Sequence, residues 1–121
     1  MSPKRKQVGA VFLLLLAAVI CTAAQKNQPQ LRTVHGNVVD KQENSVPGAI
    51  VYVENRKTKV VRTAVADDQG LYRFSGLDPN VDIEIHAERN GMTSSTRTIS
   101  SFDTSPDVFI SLKLDKKKGD Q

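Results

Sequence analysis

Short segments in which apolar and polar residues alternate recur between residues 31 and 114 of this chain. The clearest of them is VDIEIHAE, residues 81–88. Its apolar set is Val81, Ile83, Ile85 and Ala87, and its polar set is Asp82, Glu84, His86 and Glu88. A period of two residues is typical of a β-strand with one buried and one solvated face. The pattern therefore predicts an antiparallel sheet in this part of the chain.

Turn signals divide this region into seven predicted strands. Pro47-Gly48 opens one strand, and Asn90-Gly91 is typical of a tight hairpin. We expect the segment MTSSTRTIS to be a polar strand at an exposed edge of the sheet. Short strands with turns at this spacing favour a β-sandwich. The predicted strands cover residues 31–40, 49–55, 60–66, 71–75, 81–88, 92–100 and 108–114.

The stretch AVADDQGLYRFSGLDPN, residues 64–80, contains the aspartates that come nearest to a metal-binding pattern. A calcium loop needs ligands at alternate positions and a glutamate at the twelfth. Asp67 and Asp68 are adjacent, so in an extended chain their side chains would point in opposite directions. We therefore predict turns here, with Gly70 at positive φ and Asp68 accepting backbone hydrogen bonds.

The N-terminus has the layout of a secretory signal peptide. A basic patch at residues 4–6 precedes an apolar run at residues 8–20, and small residues follow at 22–24. We expect this leader to be helical and to be cleaved after Ala24, so that residues 1–24 are removed and the domain is exported to the periplasm or the cell exterior.

Two other fates of the leader stay open. Cys21 would be the acceptor of a lipoprotein signal, but Ile20 stands where a small residue is expected, so plain export is favoured. An uncleaved anchor is the remaining alternative. The membrane would then be contacted only through a retained or lipidated leader. Residues 25–30 are predicted to be a polar tether and residues 115–121 a disordered basic tail.

The basic charge of the whole chain is largely a property of the leader. The chain has 17 Lys and Arg, 13 Asp and Glu, and a net charge of +4. Three of the basic residues and none of the acidic ones lie in residues 1–24, which leaves a net charge of +1 after cleavage. The remainder contains no Trp and no cysteine, and its basic residues are scattered. We therefore expect no nucleic-acid partner.

The mature part resembles the carboxypeptidase regulatory-like domain family over residues 33–114, from the strand VHGNVVD to the strand SLKL. Its later segment, DPNVDIEIHAERNGMTSSTRTISSFD, is most similar to the corresponding segment of stand-alone exported bacterial members. Ile83 is a departure, because such members often carry Tyr there. The resemblance implies a seven-stranded Greek-key β-sandwich of the transthyretin-like (prealbumin-like) type. The matching positions are Gly36, Asp40, Pro47, Gly48, Ala49, Asp68, Gly70, Tyr72, Phe74 and Leu77.

The residues that carry this resemblance are of structural types. Pro47 and Gly48 would set the entry to the second strand, and Gly70 would shape a turn. Tyr72 and Phe74 would fill the space between the sheets. None of the matching side chains is a nucleophile, a general acid or a metal ligand, so the resemblance implies no catalytic residue. Related domains lie beside peptidase domains or outer-membrane receptors and assist folding, docking or ligand contact.

The two histidines do not form a zinc-peptidase motif. Such a site needs a close pair of ligands and a third ligand. His35 is followed by Gly-Asn-Val and His86 by Ala-Glu-Arg, so neither begins a His-x-x-Glu pair. The serine pairs 94–95 and 100–101 lack the flanking glycines of a nucleophile elbow. We predict no catalytic residue, no metal and no cofactor, and hence no enzyme.

The sequence thus predicts a non-catalytic exported module that binds a protein or has a structural role in the cell envelope. The candidate binding surface is the polar face of the fifth strand, Asp82, Glu84, His86 and Glu88, with the Asn90-Gly91 hairpin. The partner would be an envelope protein or a glycan. A carbohydrate-binding module is the first alternative, with Tyr52, Phe102 and Phe109 as exposed rings, and a small hydrolase is the second.

Overall fold

The structure, a computed structural model, describes residues 30–119. The predicted signal peptide, Cys21, residues 25–29 of the tether and the last two residues of the tail lie outside the described residues. Within residues 30–119 no helix is long and apolar enough to cross a membrane.

The described part of the chain is built from β-strands. The strands are β1 (Arg32–Val39), β2 (Ile50–Asn55), β3 (Val61–Val65), β4 (Leu71–Leu77), β5 (Ile83–Arg89), β6 (Met92–Ser94), β7 (Arg97–Ile99) and β8 (Asp107–Lys117).

Two layers of strands face each other. One layer consists of β4, β1 and the first part of β8, and the other consists of β3, β2, β5, β6 and β7. Strand β8 runs parallel to β1 from Asp107 to Lys113 and then pairs antiparallel with β6. It therefore passes from one layer to the other and joins them at one side. This arrangement confirms the predicted all-β sandwich.

The core is the set of apolar side chains that the alternation assigned to inward faces. In β5, Ile83, Ile85 and Ala87 are buried, as predicted. Tyr72 and Phe74 of β4 are also buried between the layers, with ring centroids 6.2 Å apart. Burial of about 25 cal/mol per Å² of apolar surface makes this shared interior the main stabilising contribution. The remaining core residues include Val34, Val38, Ala49, Val51, Val53, Leu77, Val81, Ile110, Leu112 and Leu114.

The predicted sixth strand, residues 92–100, is in fact two strands, β6 and β7. Continuing the β5–β6 register would place Thr96 opposite Ile85, but Arg97 lies there instead. This one-residue slip is a β-bulge. Two hydroxyl groups form hydrogen bonds across it. Ser94 Oγ accepts a hydrogen bond from the N–H of Ala87 at 2.9 Å, and Thr93 Oγ1 donates one to the Ala87 carbonyl at 3.2 Å.

The prediction of an exposed polar edge is therefore wrong for β6. Thr93 and Ser94 are buried, and β6 lies between β5 and β8. Their polar groups are tolerated because they hydrogen-bond the backbone that the bulge leaves unpaired. On the other side of β6, Met92 and Thr93 pair with Lys117 and Lys116. Strand β8 consequently extends beyond Leu114, into the segment predicted to be a disordered tail.

The turn at residues 67–70 forms as predicted, but a different aspartate accepts its backbone hydrogen bonds. Gly70 has a φ of 78°, as expected. However, Asp67 and not Asp68 holds the turn, because Asp67 Oδ1 accepts the N–H groups of Gln69 and Leu71, each at 2.9 Å. The prediction for Asp68 was therefore wrong: adjacent side chains point in different directions, and only that of Asp67 points back toward the turn.

The glycine in β1 is required by close approach of the backbone. A Cβ atom at Gly36 would lie 1.8 Å from the carbonyl oxygen of Ile110 in the neighbouring strand β8. The same carbonyl accepts a hydrogen bond from the buried hydroxyl of Tyr72 at 2.7 Å. Burial raises the pKa of Tyr72, so the hydroxyl stays protonated and able to donate. Two of the positions that carry the family resemblance thus meet at one point between β1, β4 and β8.

Candidate functional site

The predicted polar face is only partly a single surface. Glu84, His86 and Glu88 lie on the outer face of β5, where their side chains are half-buried. Asp82 precedes the strand, and its Oδ1 accepts the backbone N–H of Ser101 at 2.7 Å. The carboxylate of Asp82 therefore holds the loop that follows β7, and the outer face consists of the other three residues.

A stacked pair of rings occupies the centre of this face. Tyr52 of β2 lies directly opposite His86 of β5 in the antiparallel register. Their ring centroids are 4.9 Å apart and the rings are inclined by only 11°. Directly opposed residues in antiparallel strands share one face and lie close together, so the register forces this contact. The sequence had singled out both residues, but not their contact.

Arg56 lies between two carboxylates at one end of the pair. It contacts Glu54, and its Nε lies 3.4 Å from Oε1 of Glu84. The hydrogen bond to Glu54 and the charge of Glu84 raise the pKa of Arg56. Because this group is exposed, the ion pairs act mainly by positioning the side chains and contribute little to stability.

A second charged cluster lies at the other end. Glu88 Oε1 lies 3.0 Å from Nζ of Lys118, and its Oε2 lies 3.1 Å from Nε2 of His86. The hydrogen bonds from Lys118 and then His86 lower the pKa of Glu88. Glu88 therefore fixes the His86 ring while that ring stacks on Tyr52. Each glutamate of the face has a basic neighbour, so the polar face predicted from the sequence is a row of ion pairs.

A shallow groove of about 260 Å³ lies on this face between the stacked pair and the Glu54–Glu84 end. The rings of Tyr52 and His86 line it, and its edge toward β3 is formed by Val61. We call this feature the Tyr52–His86 groove. It is lined by Tyr52, Glu54, Val61, Glu84, His86 and Thr96.

The two histidines lie on outer faces of different layers. His35 of β1 has its own partners: Asp107 Oδ1 lies 3.0 Å from its Nε2, and the ring of Phe109 packs edge-on with a centroid distance of 5.4 Å. His86 has Glu88 and Tyr52 instead. Among residues 30–119 there is no group of three or more His, Cys, Asp or Glu side chains close enough to hold a metal ion.

The three rings suggested for glycan binding do not form one platform. Tyr52 lies on the outer face of β2, and Phe109 lies on the outer face of β8 in the part that pairs with β1. Phe102 is 92% exposed in the loop between β7 and β8. A sugar ring could therefore stack on only one of them at a time.

The sequence reasoning missed the most buried charged residue of the described part. Arg32 is 1% exposed, and its guanidinium donates to the carbonyls of Ser105 at 3.1 Å and Ser100 at 3.4 Å, and also to that of Asp103. A signal was present: Arg32 stands in phase with Val34, Gly36 and Val38, whose side of β1 faces inward. An arginine at an inward position needs carbonyl or carboxylate partners, because its charge is permanent.

Comparison with known proteins identifies the family. The model of the carboxypeptidase regulatory-like domain matches residues 33–113. The chain belongs to the carboxypeptidase regulatory-like domain family. The match confirms the resemblance inferred from the sequence, over almost the same residues. No curated protein matches the chain significantly.

Solved structures share the fold of this family member at low sequence identity. The major pilin subunit BcpA of Bacillus cereus is 15% identical, with a TM-score of 0.58, and the match covers 74% of this chain and 31% of the pilin. The group B streptococcus pilus 2b backbone protein is 13% identical, with a TM-score of 0.54 and coverages of 72% and 42%.

An enzyme shares the sandwich as well. Catechol 1,2-dioxygenase from an Acinetobacter species is 14% identical, with a TM-score of 0.52 and coverages of 75% and 55%. This chain thus spans little more than half, or less, of each of these proteins. Because the fold occurs in both pilins and dioxygenases, it shows the architecture and leaves the activity to be argued from the surface.

Proposed function

We propose that this domain is a non-catalytic protein-binding module of the cell envelope, and that the Tyr52–His86 groove is its binding surface. The observation that carries the proposal is the stacked pair itself. Two aromatic rings line the groove, and ion-paired side chains lie on both sides of the stacked pair. Binding energy in protein interfaces is concentrated in central aromatic residues that a polar rim shields from water.

The charges around the groove favour recognition over chemistry. A general acid or base needs a carboxylate or imidazole that is free to exchange a proton with a substrate. Here Glu84 is paired with Arg56, and Glu88 bridges Lys118 and His86. Such pairs orient a partner and reject partners of the wrong charge. The family supports this proposal because the positions that carry the resemblance are structural.

Export is part of the same proposal and rests on the sequence. A basic patch, an apolar run and small residues precede the domain, in the order typical of a secretory leader. N-terminal mass analysis of the protein recovered from the envelope fraction would test this directly. A mature N-terminus at Gln25 supports export with cleavage. A chain that begins at Met1 in the cytosolic fraction would contradict it.

The binding surface is tested by crosslinking and pull-down from the envelope of the producing cell. Tyr52→Ala and His86→Ala should each reduce the captured partner about tenfold or more, because central aromatic residues contribute about 2 kcal/mol or more. Phe109→Ala on the other layer is the matched control, since it removes an exposed ring without touching the groove.

Three outcomes would contradict the proposed function. Equal capture by all three variants would remove the groove from the interaction. Binding of the folded domain on a glycan array, abolished by Tyr52→Ala, would favour the carbohydrate-binding alternative instead. Hydrolysis of ester or peptide substrates that is lost in His86→Ala would contradict the non-catalytic proposal.

A further inference from the structure

Strand β3 is an open edge of the sandwich. It pairs with β2 on one side only, and it ends the strand order of its layer. Three valines at or beside this edge are exposed: Val60 by 60%, Val61 by 51% and Val65 by 67%. An open edge can pair with another strand unless inward charges, proline or bulges protect it. The one inward charge of β3 is Arg62, and its guanidinium is held against Ser75 and Phe74 of β4.

The hydrogen bonds to β2 show which backbone groups of this edge point outward. The carbonyl of Val60 accepts from Asn55, and the N–H of Ala66 donates to Ala49. In an antiparallel ladder the residues that bond one neighbour alternate with residues whose groups point to the other side. The N–H and C=O groups of Val61, Thr63 and Val65 therefore point away from β2.

The edge at β4 is less open. Strand β4 pairs with β1 only, but Nη1 of Arg62 donates to the carbonyl of Ser75 at 3.0 Å. The Arg62 guanidinium also lies over the ring of Phe74, at 5.7 Å from its centroid. A side chain from β3 therefore occupies part of the β4 edge, whereas the outward groups of β3 itself are left for a partner.

We propose that β3 pairs antiparallel with β3 of a second copy of this chain, about a two-fold axis at Thr63. In this register Val61 lies opposite Val65 of the second copy, and Val65 opposite its Val61. The exposed valines meet on the same face of the joined sheet, and their outward backbone groups bond each other. The interface is isologous, so it closes as a dimer and does not propagate into a fibre.

Charge complementarity supports this register. Beyond the strand ends, the turn residues Lys59 of one copy and Asp67 of the other come to the same end of the joined sheet, on both sides of the axis. Arg62 lies opposite the small residue Ala64, and no like charges face each other within the strand. Opposite charges at the ends favour this alignment, and a shift by one residue would move the valines to different faces.

The dimer proposal and the Tyr52–His86 groove are tested at different residues, although Val61 borders both and Thr63 lies opposite Tyr52. The edge of β3 lies in the plane of the sheet, whereas the groove faces outward from it. Variants of the groove rings can abolish partner capture while the dimer persists, and variants of the edge can do the reverse. The failure of one proposal is thus distinguishable from the failure of the other.

Thr63→Pro tests the edge pairing. The N–H of Thr63 points away from β2, so proline removes a bond to the second copy and leaves the β2 ladder intact. Sedimentation velocity at ~0.01–1 mM full-length chain should show a monomer–dimer equilibrium that Thr63→Pro weakens at least tenfold. Thr63→Ala keeps the N–H and should leave the equilibrium unchanged. Circular dichroism verifies that both variants fold.

A cysteine at the axis tests the register and does not depend on proline being tolerated. In a Cys21→Ser background, Thr63→Cys should form a disulfide-linked dimer under mild oxidation, because directly paired residues lie within disulfide distance. Thr98→Cys, exposed on β7, is the matched control and should remain monomeric. A monomer at every concentration, an unaltered dimer in Thr63→Pro, or equal crosslinking of both cysteine variants would overturn the proposal.

Discussion

The two tyrosines of this chain lie in two different regions of the molecule, the interior and an outer face. Tyr72 lies between the layers, is 4% exposed and donates its hydroxyl hydrogen to Ile110. Tyr52 lies on the outer face of the sheet and stacks on His86. The first belongs to the positions that carry the family resemblance, and the second does not. The residues by which the family is recognised therefore hold the sandwich together, and the outer faces are free to vary without loss of the fold.

The difference predicts how each region responds to substitution. Changes at the interior point where Gly36, Tyr72 and Ile110 meet should cost stability, because backbone and buried hydroxyl have no alternative partners there. Changes in the Tyr52–His86 groove should leave stability nearly unaltered and change binding. In order of decreasing expected effect, three interior changes are contrasted with matched changes elsewhere, and an ion pair of the outer face follows.

The largest effect is expected for Gly36→Ala. Its Cβ would meet the carbonyl oxygen of Ile110 at 1.8 Å, so β1 and β8 must move apart, and we expect a loss of about 3 kcal/mol in the free energy of unfolding. Gly76→Ala is the control: Gly76 has a φ of 72° but nothing within 4 Å of the added atom. It should cost about 1 kcal/mol. Urea denaturation followed by circular dichroism measures both, and equal losses would contradict the close-approach argument.

Arg32→Met should lower the free energy of unfolding by about 2 kcal/mol, because the carbonyls of Ser100, Asp103 and Ser105 lose a charged donor. Backbone amides between residues 100 and 106 should exchange faster with solvent deuterium, since the loop loses its anchor. Arg73→Met, at an exposed position of β4, should stay within about 0.5 kcal/mol of the unaltered chain. Unchanged exchange in the loop would show that Arg32 does not hold it.

Tyr72→Phe removes one buried hydrogen bond without changing the ring. The carbonyl of Ile110 then lacks this donor, and a loss of about 1.5 kcal/mol in the free energy of unfolding is expected. Tyr52→Phe removes a hydroxyl from the outer face and should change stability by less than about 0.5 kcal/mol. Thermal and urea unfolding measure this pair directly. If the two variants are equally destabilised, the distinction between interior and outer face fails.

The smallest effect concerns the pH dependence contributed by Glu88. Lys118 and His86 lower its pKa in the folded state below the ordinary value of 4.5. A lowered pKa stabilises the fold above the unfolded-state pKa, and this contribution is lost as the pH falls through the folded-state pKa. Glu88→Gln should therefore be destabilised at pH 7 by less than about 1 kcal/mol, and the difference should vanish in acid.

Lys118→Met is the matched partner of this variant. It should show a similar loss at pH 7, and the double variant should lose less than the sum of the two single variants. A difference between Glu88→Gln and the unaltered chain that grows toward low pH would contradict the assigned direction of the pKa.

The positions and faces of most strands were predictable because they depend on local alternation. Tyr72 and Phe74 point inward as predicted, as do Ile83, Ile85 and Ala87. The bulge between β6 and β7 was not predictable, because Thr93 and Ser94 have polar side chains whose partner is the backbone of another strand. Polar character alone does not distinguish a solvated side chain from a buried one whose hydroxyl bonds an unpaired backbone group of the sheet.

The candidate surface was predictable only in part. Glu84, His86 and Glu88 share a face because a strand alternates with a period of two residues. The same rule placed Asp82 with them, but strand β5 begins after it, and its carboxylate binds the backbone of Ser101. The stacking of Tyr52 on His86 and the arginine between two glutamates depend on which residues of β2 face which residues of β5.

The sequence by itself determined the family, through residues that match its motif. It also determined the sandwich and the inward and outward sets of side chains, since these follow from spacing between neighbours in the chain. Only the tertiary structure decided the partners of Arg32, the Tyr52–His86 groove and the open edge at β3. The physical reason is that contacts across strands depend on register and strand order. These are fixed by the packing of segments far apart in sequence, which no local pattern records.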